Sequence, residues 1–424
     1  MRFFLICCFF YQFAFFINAQ TLSDSALAAA PIFDNIEMAA LQADKVYKLD
    51  LRGQQLMTLP DELASFKNLH ILWISNNLIS EFPKNMPALE HLQLLSLDKN
   101  NFKILPAFLS NCKKLRELNV RNNILTELPA WLAKLPRLES LDLRDNYLKN
   151  LPAVWKNKNP KLKNLQLSYN HLRQLPAYLG RFLDLETLEL AGNTWTNLPP
   201  SLGKLQKVNY LDISYNPNLD LNQAIKVIAQ MKALRELHAN GLNIEKMPAD
   251  LAQLVNLRKL TIRECQSLKL PDVVAELSNL EELEISKSKI MYLSDSLPKL
   301  KKLKFLYANN CDLEFLPSNI GKIVSLNELH LRHNRIERLP NSIGELQNLQ
   351  GLFIEKNNLT ELPESICNLP NIYNLELQNN QLQKLPANLY KVVSLTGLYL
   401  MNNPINEADI NALIEQMPMT YIAF

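Results

Sequence analysis

A short apolar segment of the form LxxLxL recurs along the chain at a nearly constant interval, and this spacing constrains the fold more than any other feature. Of the fifteen intervals between its sixteen copies, thirteen are 23 residues long, one is 24 and one is 26. The copies start at Val46, Leu69, Leu92, Leu115, Leu138, Leu162, Leu185, Val208, Leu234, Leu257, Leu280, Leu303, Leu326, Leu349, Ile372 and Leu395. Chance does not produce such a register, so residues 46–405 are expected to repeat one structural unit.

The unit from Leu326 to Asn348 shows what each repeat contributes. Its leucines alternate with polar residues around positions 328–332, which predicts a short strand with one buried face. Asn334, at the ninth position, has an amide that both donates and accepts hydrogen bonds where the chain turns out of the strand. Pro340 has no N–H for a sheet and ends the pairing. The remaining residues are expected to return as a helical turn or an extended segment.

No single unit can bury this apolar layer, whereas stacked units form a continuous core with one parallel strand each. The return side is bulkier than the strand side, so the stack must bend with its sheet on the inside. We therefore expect an α/β solenoid, shaped as a horseshoe, with about sixteen strands on its concave face.

The consensus LxxLxLxxNxLxxLPxxLxxLxx resembles the leucine-rich repeat family, in particular its 23-residue LPxxLxxL class of Ras-suppressor-like and secreted bacterial proteins. The resemblance covers residues 46–405, nearly the whole chain after the first segment. It implies a curved solenoid and a binding role. It implies no catalytic residue, because the family motif contains none.

The first segment has the pattern of a secretory signal peptide. Residues 3–17 are almost entirely apolar, Arg2 precedes them, and the small Ala19 lies where a peptidase would cut. A membrane-spanning helix needs about 17–25 residues, so stable membrane insertion is not expected. The sequence predicts cleavage after Ala19 and a secreted, periplasmic or cell-surface protein, with a retained signal anchor or a lipoprotein as alternatives.

Both ends of the solenoid need caps. Residues 20–45 are expected to form a helical N-terminal cap, with an amphipathic helix over 32–42 that begins at Asp34 as its N-cap. Residues 406–424 are expected to form a C-terminal cap, in which Asn406 begins a helix through Gln416 and a final extended segment follows. Three residues of that helix are expected to be buried: Ile410, Leu413 and Ile414.

The middle of the chain departs from the pattern. The 26-residue unit lacks its Leu-Pro pair, and Leu221–Met231 has the periodicity of a true helix. The ninth-position asparagine is also replaced in four successive units, by Leu242, Cys265, Ser288 and Cys311. The two cysteines would lie two repeats apart, about 10 Å, which is too far for a disulfide, so we expect buried thiols.

The sequence contains no P-loop, HExxH, EF-hand or GxSxG motif, and it has only 9 glycines. His330 and His333 are the only histidines that lie close together in the sequence. We expect both to be solvated surface residues rather than ligands of a metal site completed by Glu328 or Glu355. The net charge of +3 gives no overall attraction for nucleic acid. We therefore expect no enzyme activity, no cofactor and no metal.

The outward positions of each strand carry the functional signal. In the C-terminal half, aromatic residues occupy the fifth position of several repeats, a set of equivalent positions here called the fifth-position column, and Glu376 interrupts the series. Arginine lies beside these aromatics, and this composition is typical of binding hot spots. The predicted partner-binding residues are Phe305, Tyr307, His330, Arg332, Phe353, Tyr399 and Met401. Weaker aromatic groups are Trp73, and Tyr169 with Tyr210 and Tyr215. The alternative is an incidental stripe of exposed rings.

These observations predict a rigid, non-enzymatic scaffold that recognises a protein ligand on its concave face. Two alternatives remain open. One is a glycan-binding or cell-wall adhesin that stacks sugar rings on the same aromatics. The other, which follows from the resemblance to Ras-suppressor-like repeats, is an intracellular scaffold for small GTPases, and the signal peptide argues against it.

Overall fold

In the computed structural model, which describes residues 23–153, 155, 161–242, 247–265, 270 and 272–424, the repeats stack into an open parallel sheet. Every strand pairs with the next one along the chain, and equivalent positions of successive repeats lie opposite one another, as Leu329 does with Leu352. The sheet has 18 strands, two more than the repeat count predicts, because one strand precedes the first repeat and one follows the last. The leucine-rich repeat solenoid predicted from the sequence is confirmed.

The strands are β1 (Ile32–Phe33), β2 (Lys48–Asp50), β3 (Ile71–Trp73), β4 (Leu94–Ser96), β5 (Glu117–Asn119), β6 (Ser140–Asp142), β7 (Asn164–Gln166), β8 (Thr187–Glu189), β9 (Tyr210–Asp212), β10 (Glu236–His238), β11 (Lys259–Thr261), β12 (Glu282–Glu284), β13 (Phe305–Tyr307), β14 (Glu328–His330), β15 (Gly351–Phe353), β16 (Asn374–Glu376), β17 (Gly397–Tyr399) and β18 (Tyr421–Ala423). The α-helices are α1 (Asp24–Ala29), α2 (Ile36–Ala40), α3 (Leu221–Ile228) and α4 (Glu407–Gln416).

Short 3₁₀-helices form the return side of most repeats. Many begin directly after the proline of the Leu-Pro pair, as Asn341–Glu345 does after Pro340, because proline cannot extend the sheet but suits a helix entrance. The 3₁₀-helices span Ala43–Lys45, Asp61–Ser65, Ala107–Asn111, Ala130–Lys134, Ala177–Arg181, Pro200–Lys204, Ala249–Gln253, Asp272–Glu276, Leu297–Lys299, Ile320–Lys322, Asn341–Glu345, Glu364–Asn368 and Leu389–Lys391. Each of these helices takes up more room along the stack than a strand does, since strands are spaced at about 4.8 Å. The stack therefore bends away from the helices, and the sheet lines the concave face.

The apolar core runs through the whole stack between the sheet and these helices. Leu326, Leu329 and Leu331 are completely buried, as are the equivalent leucines of most other repeats. Each repeat covers the apolar face of the one before it, which is why the core is continuous rather than divided into separate globules.

The ninth-position asparagines form a buried ladder that joins neighbouring repeats. The Asn334 amide nitrogen donates to the carbonyl oxygen of Ala308 in the preceding repeat at 2.8 Å and to that of Leu331 at 2.8 Å. Its side-chain oxygen accepts from the backbone N–H of Leu313 at 3.1 Å. One side chain therefore satisfies three backbone groups at the turn, as the sequence predicts.

Three of the four residues that replace asparagine keep part of this ladder. The thiols of Cys265 and Cys311 donate to the carbonyl oxygens of Ala239 at 3.7 Å and Ile285 at 3.4 Å in the preceding repeats. Both cysteines are buried and free, as predicted, and burial raises the pKa of each thiol to about 11. Ser288 similarly donates to a carbonyl oxygen of the preceding repeat, at 3.2 Å.

The residue before the ladder position adopts a left-handed backbone conformation in all sixteen repeats, which the repeat pattern did not predict. This positive φ turns the chain away from the strand. The residues are Gly53, Asn76, Lys99, Asn122, Asp145, Tyr169, Gly192, Tyr215, Gly241, Glu264, Lys287, Asn310, His333, Lys356, Asn379 and Asn402. Asparagine and glycine are frequent in this column because they tolerate positive φ best.

The N-terminal end differs from the prediction. The helix expected over 32–42 is wrong in its first part, because Ile32–Phe33 pairs with β2 as an added strand. The helix begins only at Ile36, and Asn35 rather than Asp34 caps it by accepting from the Met38 N–H at 2.9 Å. An extended segment is favoured here because it supplies partners for the otherwise open edge of the sheet.

The C-terminal helix α4 follows the prediction, with Asn406 as its N-cap and β18 after it. Ile410 and Leu413 are buried, but the prediction for Ile414 is wrong, since it remains 37% exposed. In the middle, α3 is present with Asp220 as N-cap and ends at Ile228, three residues earlier than predicted. The predicted signal peptide lies outside the described residues. None of the helices in the described part of the chain has the length and apolar character that crossing a bilayer requires.

Candidate ligand-binding site on the concave face

Three rings in the fifth-position column form a continuous stack, here called the aromatic stack. Tyr307, His330 and Phe353 lie opposite one another on β13, β14 and β15. The ring centroids of Tyr307 and His330 are 4.5 Å apart with planes inclined by 31°, and those of His330 and Phe353 are 4.2 Å apart with planes inclined by 9°. The strand spacing of about 4.8 Å brings equivalent side chains to stacking distance. All three rings are half-buried, so part of each faces solvent.

A glycine creates the space for one of these rings. A Cβ atom at Gly351 would lie 2.6 Å from Cε2 and 2.8 Å from Cζ of Phe353, closer than atoms can pack. The ring therefore lies over the strand, where a larger third-position residue would exclude it. In strand β13, two strands away, the third position holds Phe305, whose ring centroid is 6.5 Å from that of Tyr307.

Arg332 lies over the Phe353 ring, at one end of the stack. Its guanidinium carbon is 5.0 Å from the centroid of the Phe353 ring, within cation–π range. Its Nε lies 2.6 Å from a Glu355 carboxylate oxygen and its Nη2 2.9 Å from a Glu376 oxygen. The guanidinium is held in place by these carboxylates, so little side-chain entropy remains to be lost when a ligand binds.

The polar groups around the stack have perturbed acidity. Burial lowers the pKa of the His330 imidazole below its ordinary value, although Nε2 of the ring lies 2.8 Å from the Glu328 carboxylate. Burial also raises the pKa of Glu355, whose side chain is only 12% exposed. Within the described residues, Oε2 of Glu355 and Oε1 of Gln378 are buried without a hydrogen-bond partner. A ligand that donates hydrogen bonds here would satisfy acceptors that are costly to leave unpaired.

The structure brings together five of the seven predicted binding residues, and two lie apart. Tyr399 is on β17, two strands beyond Phe353, and Glu376 stands between them. Its ring packs edge-on against Tyr421 instead, with centroids 5.8 Å apart. Met401, half-buried, follows on the same repeat. The interruption by Glu376 was visible in the sequence, whereas the contact with the C-terminal strand was not.

The two neighbouring histidines take different places. His330 is part of the aromatic stack, whereas His333 occupies the left-handed turn position with φ of 54° and is exposed. They therefore do not face a common point. Across the described ranges, no group of three histidine, cysteine, aspartate or glutamate side chains is placed to hold a metal ion.

The weaker aromatic groups have their own local arrangements. The guanidinium carbon of Arg52 lies 5.3 Å from the Trp73 ring centroid, a smaller version of the Arg332 contact. Tyr169 lies against Gly192, where a Cβ atom would come within 2.5 Å of the ring. Tyr215 packs in the same way on Gly241, where that distance would be 2.3 Å. These tyrosines are in the turn column rather than on the strands, so they do not extend the aromatic stack.

Comparison with family models agrees with this geometry. A leucine-rich repeat region model matches residues 156–267 and 317–417, and a second leucine-rich repeat model matches residues 90–148. The chain belongs to the leucine-rich repeat family. Proteins of this family are generally interaction scaffolds rather than enzymes. No curated protein matches the sequence significantly.

Solved structures of this family resemble the protein along most of its length. A leucine-rich repeat protein of Leptospira interrogans is 31% identical with a TM-score of 0.84, over 93% of this chain and 100% of that one. The functional domain of InlJ from Listeria monocytogenes, which includes a cysteine ladder, is 21% identical with a TM-score of 0.57, over 74% and 64% of the two chains. A plant peptide hormone receptor, solved in complex with RGF2, is 22% identical with a TM-score of 0.52, over 84% and 67%. The last two show the shared fold.

Proposed function

We propose that this leucine-rich repeat protein is a secreted, non-enzymatic scaffold that binds a protein ligand at the aromatic stack and Arg332. The observation that carries the proposal is the contact series Tyr307–His330–Phe353, half-buried and held together at 4.5 and 4.2 Å. Rigid aromatic rings beside an ordered arginine are the side chains that dominate protein–protein binding energy. The plant receptor of the same fold, which was solved in complex with RGF2, supports the choice of ligand class.

The remaining expectations complete this proposal. Residues 1–19 are removed as a signal peptide, residues 20–45 and 406–424 cap the ends, and residues 46–405 form the solenoid of the 23-residue LPxxLxxL class. Tyr399 and Met401 then contribute a second contact area, separate from the stack. Secretion favours an extracellular or periplasmic ligand over a cytosolic GTPase.

The binding proposal is tested with a matched pair of double variants. The ligand is first captured on the immobilised protein from the compartment in which the protein is found. Its affinity is then measured for Tyr307→Ala/Phe353→Ala and for Tyr292→Ala/Tyr390→Ala, which removes two exposed tyrosines outside the stack. We expect the first variant to weaken binding by a factor of about 100 or more and the second to leave it unchanged. Adding Tyr399→Ala reports on the second contact area.

The melting temperatures of both variants should stay near that of the wild type, since these rings lie on the surface of a core already filled by leucine and isoleucine. Unchanged affinity in the stack variant would refute the site. If the captured ligand is a polysaccharide and a glycan array reproduces its binding, the adhesin alternative replaces the protein-binding one.

Secretion is tested separately by cell fractionation and N-terminal sequencing. We expect the mature protein outside the cytoplasm to begin at Gln20. A chain that retains Met1 in the cytosolic fraction would contradict secretion and favour the GTPase-scaffold alternative.

A further inference from the structure

A second surface feature lies at the edge of the sheet where the chain enters the strands β9 to β13. It is an open cavity of about 690 Å³, here called the basic groove. Five cationic side chains line it, Lys207, Lys232, Arg235, Arg258 and Lys302, together with a single carboxylate, Glu281. The protein as a whole carries a net charge of only +3, so this concentration of positive charge is local.

The repeat explains why these cations line up. Arg235 and Arg258 are the second residues of successive repeats, and Lys207 and Lys302 are the last residues before two others. Equivalent positions are stacked along the sheet at about 4.8 Å, so the row from Lys207 to Lys302 crosses four strand spacings, roughly 19 Å. A row of this length suits an extended ligand better than a single small anion.

Among the described residues, three of the five groove cations have no carboxylate partner, whereas Lys207 pairs with Asp184 at 2.6 Å and Arg258 with Glu281. Lys232 donates to the backbone carbonyl oxygen of Ala229 at 2.8 Å, and Lys302 donates to the Asn279 side-chain oxygen at 2.7 Å, so both have uncharged partners. Arg235 forms no ion pair with any described residue. Glu281 is shared between Arg258 at 3.5 Å and Lys304 at 2.8 Å.

The lining also restricts the chemistry of the ligand. Its only apolar side chain is Ala233, so nothing in the groove could hold the aliphatic or aromatic side chains of a peptide. Asn209, Asn256 and Asn279 lie among the cations. The amide nitrogens of Asn256 and Asn279 donate to the carbonyl oxygens of Lys232 at 2.9 Å and Val255 at 2.8 Å, and each keeps a second N–H for hydroxyl and ester oxygens. We propose that the basic groove binds a linear polysaccharide that carries sulfate or phosphate groups. This site shares no residue with the aromatic stack and does not depend on the proposed protein ligand.

The test compares two triple variants that remove the same charge. The groove variant is Lys232→Gln/Arg235→Gln/Arg258→Gln, and the control is Lys67→Gln/Lys134→Gln/Lys322→Gln, three exposed lysines near the return side. Binding to immobilised heparin and to phosphomannan is measured over a series of salt concentrations, with desulfated heparin and polyglutamate as comparison ligands. Whichever of heparin and phosphomannan binds more tightly identifies the anionic group.

We expect the wild type and the control to bind at least one of the two polyanions, with affinity falling steeply as salt rises. The groove variant should bind about tenfold more weakly or worse and show a shallower salt dependence, because fewer counterions are released. Equal binding by the groove and control variants would overturn the proposal. Equal binding of desulfated heparin, tighter binding of polyglutamate, or no binding of either polyanion at low salt would also overturn it.

Discussion

Gly351 and Phe353 lie two residues apart on β15, and a Cβ atom on the glycine would come within 2.6 Å of the phenylalanine ring. This absence of a side chain lets the ring lie over its own strand and stack on His330 at 4.2 Å. The same spacing recurs at Gly397 and Tyr399, where a Cβ atom would lie 3.2 Å from the tyrosine ring. At these two positions a glycine thus leaves room for the ring two residues further on.

Gly351→Ala should displace the Phe353 ring and weaken ligand binding while the repeat itself stays folded. We expect a loss of affinity of about tenfold, comparable to the loss of one aromatic contact, with little change in far-UV circular dichroism. Gly397→Ala is the milder comparison, since its Cβ would meet Tyr399 only at 3.2 Å. A Gly351→Ala protein that binds like the wild type would show that the flat ring is not required.

Asn334→Ala should destabilise the protein by about 2 kcal/mol, because it leaves three buried backbone groups without their partner. Asn334→Ser should cost less, since serine at 288 keeps the link to the preceding repeat. Urea unfolding followed by circular dichroism measures both. Asn368→Ala, at an exposed asparagine on the return side, serves as control and should be neutral; equal losses at 334 and 368 would contradict the ladder.

Lys356→Val should destabilise the protein by roughly 1–2 kcal/mol, because a β-branched residue is strained at a φ of 56°. Lys356→Asn should be tolerated, since asparagine occupies the equivalent turn at 76, 122 and 310. Lys384→Val changes an exposed lysine outside the left-handed turns and provides the baseline. The denaturation midpoint of Lys356→Val should therefore lie clearly below that of Lys384→Val. Coincident midpoints of the two variants would argue against backbone strain.

His330 should make the stability of the protein depend on pH in the acidic range. Burial holds its folded pKa below the unfolded value of about 6.5, so the unfolded chain binds the proton more readily. Its contribution to stability is complete above pH about 6.5 and is lost as the pH falls towards the folded pKa. Glu328, Arg332 and Glu284 act on the same ring.

The melting temperature of the wild type should therefore fall more between pH 7.5 and 5 than that of His330→Gln. Contributions from other histidines are common to both proteins and cancel in the difference. An NMR titration of the His330 ring provides a direct measurement. A folded pKa at or above the ordinary histidine value would contradict the expectation.

Much of the architecture follows from the sequence, because residues 23 positions apart occupy equivalent places in neighbouring repeats and therefore lie side by side in the solenoid. The strand positions, the asparagine ladder and helix α4 depend on local pattern and neighbouring repeats, and all were predictable. The helix expected over 32–42 failed because the first repeat leaves an open sheet edge, which Ile32–Phe33 pairs with. The need for that partner is a property of the assembled sheet, which a helical periodicity does not reveal.

The sequence by itself determined which residues point out of the solenoid, since alternation along each strand fixes their side. Only the tertiary structure decided which of them meet. Phe353 joined the stack because Gly351 left room for its ring, whereas Tyr399 packed on Tyr421 of the C-terminal strand. The basic groove likewise arises from charges spread over residues 207–302 that the stacking of successive repeats brings together, and the net charge of +3 conceals it. Ring stacking acts over a few ångströms and screened charge interactions over about 10 Å, so the partners of both are set by how the repeats stack.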